Sequence, residues 1–356
     1  MIFLKTKLCM LRKGPHWMIV FILAVFFLLQ ITSADYADAS EYQTMYLKEQ
    51  SFSFRTVSTD YGYAVAVLGK GEKVSVSKKE YMTRENGKIV KYRKYLHHGL
   101  TSYIPSQQLS AKKPKYSYQS EASFYTITLK ESASLFLTPV ISDNYITCRE
   151  TELCTIGETN YWYKVFYEGK VCFIRKKSSD ILNIKKTDSS FITIDARIST
   201  GRKNIMNRAM YYYSFLPSAV REELKRDNCV ITITDHLSKA YEKIGSSGYA
   251  CSNGEIYLKE KKHDSDKKLY YLEGTILHEI GHIIVFDLMA ENEAYYTSRM
   301  RYCFEEAKSL GVSSYYRKTM KEYMAEAFCI YILEPERMQC QAPRTYLFFT
   351  ELTKTE

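Results

Sequence analysis

The segment His278-Glu279-Ile280-Gly281-His282 sets two imidazoles four residues apart, with a carboxylate beside the first. On a helix, positions i and i+4 leave the same face one turn apart, so both rings reach one zinc ion at about 2.0–2.1 Å. Glu279 falls roughly 100° further round, close enough to hold a water on that ion without occupying it. Ile276, Ile280, Ile283 and Ile284 form the opposite apolar stripe, which turns the histidines toward a separate surface. His16, His97, His98, His236 and His263 share no such spacing and are assigned no role.

Two imidazoles leave a catalytic zinc one protein ligand short. Forty residues beyond His282, Glu322 and Glu326 share a helix face in Glu322-Tyr323-Met324-Ala325-Glu326-Ala327-Phe328. One of them can ligate while the other supports the far nitrogen of a ligating histidine. Cys329, seven residues after Glu322, lies on that face as a rival ligand, although a packed thiol is the commoner use of such a residue.

Positioning such a site takes a packed domain, and 356 residues with 46% hydrophobic and 25% charged side chains suffice for two or three. From residue 190 onward the pattern is α+β. A helix is expected over about 204–225, a strand over 229–234, and a second over 254–258, which is a candidate edge for aligning an extended peptide. Helices are expected around 268–290 and 319–333. Nine cysteines are present; without Cys9 they divide into three and five, so no specific pairing is assigned.

Before residue 185 the reading is short β-strands, with alternation at 63–67 and 73–77 and a turn at Asn86-Gly87. Tyr92-Arg93-Lys94-Tyr95-Leu96-His97-His98-Gly99, then Tyr103-Ile104, aligns with Trp162-Tyr163-Lys164-Val165-Phe166-Tyr167-Glu168-Gly169, then Phe173-Ile174, at a constant offset of 70. A period that long indicates a duplicated small domain, with copies at 44–112 and 118–184. Each copy resembles a bacterial SH3-like barrel, and that resemblance implies cell-wall polymers as partners; the alternative is a spacer, or packing against the next domain.

At the N-terminus, Lys5, Lys7, Arg12 and Lys13 precede an apolar run over 17–29 and then small residues, the layout of a secretory signal over 1–34, or of an anchor if it is not removed. The net charge of +10 becomes +6 without those four basic residues. This favours anionic surfaces, while no nucleic-acid-binding motif accompanies the charge.

The stretch 313–349 resembles the catalytic domain of anthrax lethal factor and its relatives, the secreted Pro-Pro endopeptidases. The resemblance rests on the His-Glu-x-x-His helix, the later Glu-aromatic-x-Ala-Glu-Ala-Phe at 322–328, Tyr315 seven positions before the first Glu, and Ala342-Pro343-Arg344-Thr345-Tyr346. It implies an α+β zincin-type metallopeptidase domain over 190–356 with one catalytic zinc ion. His278, His282 and Glu322 would be its ligands, Glu279 the general base, Glu326 the support behind a ligand and Tyr315 the donor to the transition state; Tyr316 leaves a one-residue ambiguity. Lethal factor's receptor-docking domains have no counterpart here.

The expectation is therefore a multidomain chain, two small all-β barrels followed by a zinc endopeptidase acting on extracellular proteins or peptides. Its place is secreted or associated with a Gram-positive-type cell wall. The alternatives are a wall-binding protein without catalysis and a host-directed toxin protease; an intact Glu279 argues against the first.

Overall fold

The computed structural model describes residues 41–57, 64–85, 87–239, 247–260 and 272–353. The export segment 1–34, Asn86, His263 and the first residues of the expected helix at 268 lie outside the described residues.

Two antiparallel seven-stranded sheets make up the N-terminal half. The first comprises β1 (Tyr42–Leu47), β2 (Ser51–Phe54), β3 (Ala64–Leu68), β4 (Lys73–Glu85), β5 (Lys88–His97), β6 (Leu100–Pro105) and β7 (Leu109–Ser110), in the order β3-β2-β6-β5-β4-β1-β7. The second comprises β8 (Tyr125–Leu129), β9 (Ser134–Phe136), β10 (Tyr145–Thr147), β11 (Glu152–Glu158), β12 (Trp162–Tyr167), β13 (Lys170–Arg175) and β14 (Ile181–Lys186), in the order β10-β9-β13-β12-β11-β8-β14. The second copy, expected over 118–184, runs on through Lys185 and Lys186, the end of β14.

The hairpins seventy residues apart share one turn. Both central residues have positive φ, at His98-Gly99 (46° and 76°) and at Glu168-Gly169 (47° and 75°), as a tight two-residue hairpin connection requires. Each turn glycine also faces the C-terminal half. A Cβ on Gly99 would lie 2.6 Å from the Asn204 amide nitrogen, and one on Gly169 would lie 2.6 Å from Pro335 Cδ.

The C-terminal half has a four-stranded sheet of β15 (Ile192–Ile194), β16 (Val230–Thr234), β17 (Gly248–Ala250) and β18 (Glu255–Lys259), ordered β15-β16-β18-β17. Only the β17–β18 pairing is antiparallel. Six helical elements accompany it among the described residues: α1 (Arg202–Tyr213), α2 (Ser218–Arg226), α3 (Leu272–Phe304), α4 (Met320–Leu333), α5 (Pro335–Gln341) and α6 (Pro343–Thr353), of which α3 is two helices meeting at a kink where Asn292 is non-helical (φ −154°, ψ 88°). The single helix expected over 204–225 is two, because Pro217 has no N–H to continue α1 and disfavours helical backbone at Leu216. The strand expected to be an edge, β18, lies between β16 and β17; the outer strand is β17.

The halves are packed together. One buried core runs from Phe52 and Tyr92 through Trp162 and Phe173 to Ile280, Tyr323 and Phe349. The Tyr211 hydroxyl donates to Val67 O at 3.1 Å, and that of Tyr212 to Ala64 O at 2.6 Å. The two sheets are joined by a buried ion pair, Lys164 Nζ to Glu72 Oε2 at 2.8 Å. Each of the eight cysteines from Cys148 to Cys340 is a free thiol.

Candidate metal centre

Helices α3 and α4 build the site by close approach. A Cβ added to Gly281 would lie 2.8 Å from Ala325 Cα and 2.9 Å from Ala325 O, so only glycine lets the backbones meet here. Ile276, Ile280 and Ile283 are buried beneath α3, while Tyr323, Phe328 and Ile332 hold α4. Thr319 caps α4, its hydroxyl accepting from the Glu322 amide at 3.2 Å. Glu322 therefore sits in the first helical turn, where the helix dipole favours a carboxylate.

The residues the spacing singled out converge. His278 Nε2 lies 3.4 Å from Glu322 Oε2, His282 Nε2 lies 3.6 Å from Glu322 Oε1, and the two rings are 4.8 Å apart. Ligand atoms of His278, His282 and Glu322 all fall within 4.8 Å of one another, which suits a small divalent ion held by two nitrogens and an oxygen. Behind them, His278 Nδ1 meets Glu326 Oε2 at 3.2 Å. That contact fixes the ring so that Nε2 is the nitrogen presented to His282 and Glu322.

A second close group, His278, Glu326 and Cys329, shares the first histidine. Burial raises the Cys329 thiol well above its ordinary value, and its Sγ donates to Gly274 O at 3.7 Å.

Glu279 is buried, with 5% of its surface exposed. Burial pushes it up to about 7, opposed by the His278 charge, reinforced by that of Glu322, and opposed again by a hydrogen bond from the Ala250 backbone. Burial disfavours a proton on His278, but hydrogen bonds to Glu322 and Glu326 outweigh it and raise the ring to about 10. His282 falls to about 4 through burial and the adjacent His278 charge. Three carboxylates thus share the cluster, and among the described residues the ion-pair partners of Glu322 and Glu326 are the histidines.

The two adjacent tyrosines face different parts of the site. Tyr315 is 51% exposed, and after burial its hydroxyl is raised by the charges of Glu322 and Glu279. Tyr316 packs its ring 5.1 Å from that of His278 and is raised by burial, then by Glu326 and Cys329. The carboxylate charges that act on Tyr315 are thus those of Glu322 and Glu279, while Tyr316 packs against the histidine ring.

Sequence reasoning missed the backbone that shapes this pocket. Gly248 on β17 is crowded by Thr275, by Glu279 Oε1 at 3.0 Å and by Leu258, measured from an added Cβ. Gly281 had a visible signal, since glycine inside a helix costs about 1 kcal/mol against alanine and calls for a packing reason.

Residues 238–352, roughly a third of the chain, match the family model described as anthrax toxin lethal factor, N- and C-terminal domain. Among solved structures, the Pro-Pro endopeptidase from Paenibacillus alvei aligns at a TM-score of 0.36 and 16% identity, covering 46% of this chain and 97% of that one. No curated protein matches the chain.

Proposed function

We propose that the chain is a zinc endopeptidase, secreted and held near the cell wall, with a zincin-type C-terminal domain and two SH3-like barrels. The observation that carries the reading is the convergence of His278, His282 and Glu322 on one point, with Glu279 beside it and Glu326 behind it. Two imidazoles and one carboxylate are the donors of an open catalytic zinc site rather than a closed structural one.

When bound, zinc supplies Lewis acidity, lowering the pKa of water and polarising a carbonyl. Glu279, buried and raised toward neutrality, takes the proton from the attacking water and passes it to the leaving amine. Tyr315 donates its hydroxyl to the oxygen that gains charge in the transition state. Glu326 keeps His278 in register throughout. The outer strand β17, whose Ala250 amide already reaches Glu279, replaces β18 as the strand along which an extended peptide would lie.

Wall retention rests on the basic excess and the repeated β region, and a pull-down with purified walls at low and high salt tests it. The catalytic reading is tested by zinc analysis and peptide-library hydrolysis on the wild type and Glu279→Gln. One zinc per chain in both, with cleavage only in the wild type, is expected. Absence of zinc from the wild type, or undiminished cleavage by Glu279→Gln, would refute the assignment.

A further inference from the structure

The first sheet extends past its own barrel. Along β4, pairing with β1 stops at Ser77, and along β5, pairing with β6 begins only at Tyr92. Residues 81–85 of β4 and 88–91 of β5 thus form the end of a two-stranded arm, closed by a turn in which Gly87 has a φ of 79°.

Strand alternation gives this arm two unlike faces. Tyr81 and Val90 are partly buried against the main core. The other face carries Met82 opposite Lys91 and Arg84 opposite Ile89. Met82 and Ile89 are 64% and 65% exposed, among the most exposed large apolar side chains of the described residues.

Charge is concentrated in the same place. Between Lys78 and Lys94 seven residues are basic and two acidic, a net +5 within 17 residues, which is half the excess of the whole chain. Both acids are engaged: Glu80 pairs with Lys91 at 3.1 Å and Arg93 at 3.3 Å, and Glu85 accepts from the Tyr92 hydroxyl at 2.5 Å. Arg84 and Lys88 remain exposed at the tip beside Ile89.

We propose that this arm docks the protein on an anionic lipid bilayer, with Met82 and Ile89 entering the headgroup layer and the tip residues Arg84 and Lys88 meeting lipid phosphates. A soluble polyanion would be served by the charges alone; an exposed apolar pair ringed by them matches a surface that has anionic groups above a hydrocarbon layer. Each basic residue near such a surface contributes about 1 kcal/mol, and each buried methylene about 0.8 kcal/mol. Pairing across the arm satisfies only the inward half of its backbone groups, so entry stays within the headgroup layer, where water and phosphates can serve the outward half. The inference is independent of the peptidase reading, since no residue of the arm belongs to the metal centre.

The test uses the full chain carrying Ile89→Trp, compared with the parent chain so that the native tryptophans cancel. Vesicles contain about three parts phosphatidylglycerol to seven of phosphatidylcholine, with bromine on the acyl chains as quencher. Emission from the added tryptophan should fall at least about twofold on these vesicles and stay unchanged on pure phosphatidylcholine. Adding Arg84→Glu and Lys88→Glu should abolish the quenching while the melting temperature is kept. A tip tryptophan unquenched on anionic vesicles, or quenched equally on neutral ones, overturns the proposal. If soluble polyphosphate binds the chain equally well with Met82→Ser and Ile89→Ser and the tip is unquenched, the arm is a polyanion site and the lipid assignment fails.

Discussion

Two buried charged clusters in this molecule are solved in opposite ways. At the junction of the two sheets, Lys164 donates to Val67 O at 3.2 Å and to both Glu72 oxygens at 3.1 and 2.8 Å. Glu72 also accepts from the Gly69 amide and from the Tyr118 and Ser120 hydroxyls. Charge and hydrogen bonds both close, as burial demands. Between α3 and α4, Glu279, Glu322 and Glu326 surround two imidazoles, and among the described residues no lysine or arginine forms an ion pair with them. The first cluster is complete as a structural joint. The second has no such lysine or arginine pairing, and in the proposed reading a metal ion closes it; that difference would separate a joint from a site.

Removing a member should therefore have different consequences in each. Glu322→Ala should abolish zinc binding and lower peptide hydrolysis by at least about 10³-fold, while the fold persists, because carboxylate crowding is relieved rather than created. Zinc content and turnover, read beside circular dichroism, check this; retained stoichiometric zinc would contradict the contrast. Lys164→Met should do the reverse, costing roughly 3–5 kcal/mol of stability by leaving Glu72 buried and unpaired, with zinc content unchanged. Denaturant titration measures the loss, and Lys164→Met with Glu72→Gln should recover part of it.

The tyrosines sharpen the site side of the comparison. Tyr315→Phe should reduce kcat about 10²-fold with little change in KM, and Tyr316→Phe less than about tenfold, since Tyr316 packs on the far side of His278. The reverse order in steady-state kinetics would shift the oxyanion donor by one residue.

The smallest effect belongs to the joint side. His98, at the first hairpin turn beside Tyr211, is lowered to about 4 by burial and by the Arg208 charge. Its folded value lies below the unfolded one, so the stability it contributes is full above about pH 6.5 and is lost as pH falls toward 4. The loss should be on the order of 2 kcal/mol, and His98→Gln should make the fall of melting temperature across that window shallower without removing it, because the buried neighbour His97 is lowered still further.

What the sequence determined by itself is local and periodic. The i, i+4 spacing put His278 and His282 on one face, and the same rule placed Glu322 with Glu326, because both follow from helix geometry alone. The offset of 70 aligned two segments that fold as hairpins with the same positive-φ turn, at Gly99 and Gly169, where backbone sterics favour glycine. Nothing local could say that α4 would bring Glu322 to the histidines, that Glu326 rather than Cys329 would take His278 Nδ1, or that Tyr316 rather than Tyr315 would pack its ring on His278. The sheet order that put β17 outside β18 was equally out of reach. Those outcomes depend on contacts between segments distant in the chain, above all on how closely Gly281 lets two helices approach, and only the packed tertiary structure decides them.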